Sequence, residues 1–87
     1  MERFRATIEP AGRGGHVVAV PDDAAVALEA RHMMRVRGTL AGTPYRSNLA
    51  RMKGRLILGV HKATLEAAGK GTGEEAEVTI EFDPDER

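Results

Sequence analysis

The residues best suited to chemistry are cations set where an anion could be received. His61 and Lys62 open the segment HKATLEAAG, whose spacing and terminal Gly69 predict a short helix. A helix amino terminus presents unpaired amides and the positive end of a dipole, so a lysine there favours phosphate, sulfate or a carboxylate. The other predicted helix, AAVALEA, instead follows Pro21, Asp22 and Asp23, and these acids satisfy its positive end. Arg37 and Arg46 offer forked donors for planar or tetrahedral anions, and Tyr45 adjoins Arg46. The candidate ligand-binding set is therefore Lys62, Arg46, Arg37, Tyr45 and His61, with Lys62 as anchor, the arginines as clamp and Tyr45 closing one side. The same cations also have internal matches available. Lys62 precedes Glu66 by one helical turn, and Arg35 and Arg37 can face Glu77 and Glu81 across strands.

No catalytic constellation emerges. Ser47 is the only serine, and it lies in an alternating segment without the sharp glycine turn that exposes a nucleophile. A serine in that setting is a hydrogen-bonding residue of the ladder or a turn. His16, His32 and His61 are far apart and share no metal-ligand spacing, so no metal and no cofactor are expected. The glycines of GRGGH and GKGTG lack phosphate-loop spacing and read as turns. The chain is expected to be non-enzymatic.

The elements that must position these residues belong to a small chain. Its 87 residues suit one domain, 1–87, and the absence of cysteine leaves aliphatic packing to stabilise it. No apolar run reaches the ~18 residues of a membrane span and MERFRATIE lacks a signal-peptide core, so a soluble cytoplasmic protein is expected.

Formal net charge is zero but unevenly spread: Ala30 to Leu65 holds eight Lys or Arg and no acid, whereas Glu66 to Glu86 holds eight acids and one Lys. The neutral total and the acidic end argue against nucleic acid as partner, and one aromatic outside the expected core cannot build a stacking platform.

Period-two alternation predicts strands over FRATI, MRVRGTL, YRSNL and AEVTIEF, with one apolar face each. His16 to Val20 and Leu56 to Val60 are continuously apolar, as in strands covered on both faces. FRATI resembles YRSNL, VVAVP resembles LILGVH, and MRVRGTL resembles AEVTIEF, at offsets of 41, 40 and 42 residues. The expected fold is mainly β. It is a six-stranded barrel, closed or double-split, with a pseudo-twofold repeat of strand, strand, short helix, strand and halves near 1–41 and 42–87. Met33, Met34 and Met52 fill core gaps in such a barrel, or mark the seam of a homodimer if they are exposed.

RVRGTLAGTPYRSNL, VHKATLEAAG and GEEAEVTIEFD together resemble the bacterial family described as domain of unknown function nineteen-oh-five. The resemblance spans nearly the whole chain, with Gly73-Glu74 departing from the family's usual Gly-Asp. It implies a double-split β-barrel akin to the AbrB and MazE swapped-hairpin regulators. It also implies longer relatives with a YdeI or OmpD-associated domain, which makes a YdeI-like protein a candidate partner. It implies no activity. The functional expectation is a binding or interaction module for a small anionic ligand or acidic partner group, with a DNA-binding regulator as the alternative.

Overall fold

The structure, a computed structural model, describes residues 1–12 and 14–84; Arg13 of the GRGGH turn and the acidic tail at 85–87 lie outside the described residues. The chain forms β1 (Glu2–Thr7), β2 (Glu9–Pro10), β3 (His16–Ala19), α1 (Asp22–Leu28), β4 (Arg35–Leu40), β5 (Thr43–Met52), β6 (Arg55–Val60), α2 (Lys62–Ala68) and β7 (Glu75–Phe82). All pairings are antiparallel, in the order β1-β7-β4-β5-β6-β3-β2. The product is a mainly β architecture in which one curled sheet forms a half-barrel with two helices.

Long β5 carries the curl. Its residues Thr43 to Asn48 pair with β4, and Leu49 to Met52 then change partner to β6. Seven strands stand where six were expected, because the first is interrupted at Ile8. The amide of Ile8 donates to the Glu74 carbonyl and its own carbonyl accepts from Gly73. Its side chain is buried with Val18, Val36, Leu49, Leu58, Val78 and Ile80 in the aliphatic core. Ala24 of α1 and Leu65 of α2 pack into the same cluster.

Two-residue turns join β4 to β5 and β5 to β6. Ala41 (φ 49°) and Gly42 (φ 86°) form the first, Lys53 (φ 51°) and Gly54 (φ 80°) the second. Two successive positive φ values match the right-handed strand twist in such hairpins. Both helices have the expected short length of seven residues. Asp22 and Asp23 fill the first turn of α1, where Asp23 Oδ1 accepts from the Ala24 amide at 2.9 Å. Gly69 ends α2 at φ 69°, as its position predicts. Glu29, although part of the helical pattern, lies beyond the end of α1 at φ 54°.

Candidate functional site

Alternation along β4, β5 and β7 turns Arg37, Arg46 and Glu81 away from the core. Arg37 is the register partner of both Arg46 and Glu81, so the sheet brings the two predicted clamp residues together. Their guanidinium groups are engaged by the chain's own acids. Arg46 Nε donates to Asp83 Oδ2 at 2.8 Å, Arg37 Nη1 stands 3.9 Å from Asp83 Oδ1, and Arg37 Nε stands 3.4 Å from Glu81 Oε1. The Asp83 side chain is 0% exposed and its amide donates to the Arg35 carbonyl at 3.0 Å. A desolvated carboxylate is tolerated when a charge-assisted hydrogen bond and neighbouring cations replace its water; here Arg46 supplies the bond and Arg37 a second positive charge at 3.9 Å. The clamp therefore grips a carboxylate, and the carboxylate is internal.

Arg35 does not meet Glu77. Antiparallel pairing that sets Arg37 against Glu81 carries Arg35 toward Asp83 and Ala41 toward Glu77. Glu77 lies 4.0 Å from Arg3, and Glu75 lies 3.3 Å from Arg5, because β1 occupies the other edge of β7. These exposed pairs contribute little individually.

Tyr45 faces the opposite way from Arg46 and cannot close a site with it. The tyrosine is buried, and its hydroxyl donates to the Thr79 carbonyl at 2.8 Å. Burial pushes the phenol well above its ordinary pKa. A Cβ placed on Gly38, the register partner of Tyr45, would lie 2.0 Å from that carbonyl oxygen. Gly38 thus leaves room for the strand approach that the hydroxyl completes.

His61 and Lys62 stand at the start of α2. His61 occupies the N-cap without a side-chain capping bond, and Lys62 Nζ is 4.0 Å from Glu66 Oε1, both side chains being exposed. Of the five predicted residues, Arg37 and Arg46 share a site, Tyr45 belongs to the core, and Lys62 pairs along its own helix.

Of the residues considered for catalysis, Ser47 and His32 have structural partners, whereas His16 Nδ1 is buried without a hydrogen-bond partner among the described residues. Ser47 donates to the Gly59 carbonyl at 2.7 Å, and His32 Nδ1 accepts from the Arg51 amide at 3.0 Å. Among the described residues no group of three His, Cys, Asp or Glu could hold a metal ion.

A different surface is the unusual one. Leu49, Leu58 and Val18 are register partners directed into the core. Ala50, Ile57 and Ala19, with Val17 and Gly59, consequently share the outer face. Val17 and Ile57 are buried, yet they lie outside the core cluster. Arg55 covers part of this face, donating to Glu9 through two nitrogens at 2.6 and 3.1 Å. That pairing lowers the Glu9 pKa, chiefly through the side-chain hydrogen bond from Arg55. Beside it is a groove of about 210 Å³ floored by Pro10, Ala11, Val17 and Ile57 and edged by Met52 and Lys53. The signal for this face was the continuous apolarity of β3 and β6, in contrast to the alternation of β4 and β7.

A family model described as Domain of unknown function (DUF1905) matches residues 4–80. No curated protein matches the chain. No described helix is long and apolar enough to cross a membrane.

Proposed function

Since the chain belongs to the family described as Domain of unknown function (DUF1905), whose description assigns no activity, we propose a non-enzymatic binding module that works through the outer face of β3 and β6. The observation that carries this reading is the contrast between outer faces. Over β1, β7 and β4 the outward positions are Arg3, Arg5, Glu75, Glu77, Arg37 and Glu81, as expected of a solvated sheet. Over β3 and β6 they are Val17, Ala19, Ile57 and Gly59, with Arg55 at the start of β6, paired to Glu9, as the one charged residue among those described. Val17 and Ile57 are already buried within the chain, so what this face leaves open is the groove beside them, edged by half-exposed Met52.

The geometry favours this face over an anion site at α2, because Arg37 and Arg46 hold Asp83 and Lys62 lies beside Glu66. DNA binding gains no support from a sheet whose cations are interleaved with glutamates.

We also infer that β1 and β2 act as one strand closing the curled sheet into a barrel, whose halves are related by a pseudo-twofold axis. The two-sided pairing of β5 supports this, since β1 pairs with β7 while β2, one residue later, pairs with β3.

The test of function is an NMR titration with small organic probes such as isopropanol, at a concentration where the sample is monomeric. Shifts clustered on Val17, Ala19, Ala50 and Ile57 are expected. Shifts scattered over the whole surface would overturn the assignment.

A further inference from the structure

We propose that this outer face is the contact surface between two copies of the chain, packed about a twofold axis with each Met52 seated in the other copy's groove. The inference rests on the binding-module reading and specifies its partner.

Self-complementarity is the first argument. A twofold contact uses one patch twice, so the patch must carry both a projection and the recess that accepts it. Met52 is 50% exposed at the end of β5, immediately beside the groove floored by Pro10, Ala11, Val17 and Ile57. An unbranched thioether adapts to an apolar recess of that kind. Ala19, Ala50 and Gly59 carry minimal side chains, which lets two sheets approach closely.

Charge is the second argument. The patch carries Arg55 and Lys53 at its groove and Glu9 beside it, with Glu9 and Arg55 paired within the chain at 2.6 and 3.1 Å. A uniformly acidic partner would meet Glu9, and a uniformly basic one would meet Arg55 and Lys53. A second copy offers both signs, and a twofold axis can set its Glu9 near Lys53, which makes no ion pair among the described residues. The chain's zero formal net charge adds no long-range repulsion between copies.

Backbone conformation adds a third observation. Lys53 at the hairpin tip and Met33 in the adjoining turn hold φ values of 51° and 64°, a region that ordinary side chains disfavour. Met33 is 57% exposed and its amide donates to the Leu49 carbonyl of β5, while His32 accepts from Arg51. Exposed Met33 thus sits in the left-handed region itself, and exposed Met52 immediately precedes a residue that does.

Sedimentation equilibrium of the whole chain from about 10 μM to about 1 mM tests the proposal. The expected mass rises from 9.4 kDa toward twice that value. Ala50→Arg and Met52→Asp should each weaken association by about tenfold or more. Both positions are outward-facing, so circular dichroism should report unchanged folding. Arg5→Ala, on the charged face, should leave association intact. A mass that stays at 9.4 kDa throughout overturns the proposal, as does a dimer indifferent to both variants. Monomers that still gather organic probes on this face would retain the binding-module reading and assign the surface to a different protein.

Discussion

The chain makes the same turn after each helix but builds it from different residues. After α1, Glu29 donates to Val26, Ala30 to Ala25, Met34 to Arg31 and Met33 to Leu49, and Leu49 returns a bond to Met34. After α2, Gly69 donates to Glu66, Lys70 to Leu65, Glu74 to Gly71 and Gly73 to Ile8, and Ile8 returns a bond to Glu74. The left-handed positions are Glu29 and Met33 in the first turn, Gly69 and Gly73 in the second. Tertiary hydrogen bonds therefore dictate the turn, and glycine only lowers its cost. A non-glycine residue there carries about 1–2 kcal/mol of steric penalty, so strain accumulates at the α1 end. A second contrast lies across the sheet, where Tyr45 stands opposite Gly38 while Phe4 stands opposite Val78.

The largest expected effect comes from making those two cross-strand sites alike. Gly38→Ala should cost about 3 kcal/mol or more, because the new methyl would meet the backbone oxygen of Thr79, which cannot swing aside as a flexible side chain would. At fully buried Val78 the opposite change is harmful, and Val78→Ala should cost about 2 kcal/mol through the cavity left behind. Urea unfolding midpoints for the pair check this. If Gly38→Ala unfolds at the wild-type midpoint, the close approach does not constrain the fold.

Exchanging residues between the turns should give effects of opposite sign. Gly73→Ala is expected to destabilise by about 1–2 kcal/mol, since its φ of 88° suits only glycine. Met33→Gly should stabilise by about 0.5–1 kcal/mol, as relief of strain outweighs the added freedom of the unfolded chain. The same substitution should weaken self-association if the exposed methionine is part of the contact. Thermal melts and sedimentation on one set of proteins separate the two effects. Destabilisation by Met33→Gly would show that its side chain contributes more to the fold than its backbone costs.

These contrasts explain what was legible in the sequence. Alternation located β4 and β7, the acidic first turn located α1, and Gly69 located the end of α2, because each depends on neighbours along the chain. The Arg37–Glu81 pairing was also accessible. Arg35–Glu77 was not, since the repeat suggested corresponding positions whereas an antiparallel register reverses them. Asp83 was hidden more deeply: alternation places it outward, and its burial arises where Arg37 and Arg46 converge from two other strands. The apolar outer face did leave a signal in VVA and LIL, but sequence alone could not say which of these residues join the core and which, like Val17 and Ile57, are buried outside it.

Tyr45 and Phe4 should also differ in alkaline solution. The buried phenol has a raised pKa, so its contribution is fully present below about pH 10, the unfolded value, and is lost as pH rises toward the folded one. Tyr45→Phe should cost about 1 kcal/mol near neutrality by removing the bond to Thr79, and should flatten the alkaline decline. Phe4→Tyr offers no equivalent gain, because it faces Val78 across the sheet. An unchanged alkaline profile in Tyr45→Phe would assign that decline to other groups.

The smallest effect concerns the outer face on the acid side. Glu9 stands opposite Val17 as Ala50 stands opposite Ile57, so only one of these comparable positions can titrate. Arg55 lowers the pKa of Glu9, and the stability the pair adds is present above the unfolded value near pH 4.3 and lost as pH falls through the lower folded one. Glu9→Gln should remove that acid-side slope while leaving the alkaline limb unchanged. Carboxylate NMR resolves the shift even where exposure makes its effect on unfolding slight. If both copies use the pair at their contact, acidification should loosen association before it unfolds the chain. A dimer whose affinity stays constant through that range would place Glu9 outside the interface and leave Met52 and the apolar groove to carry the contact.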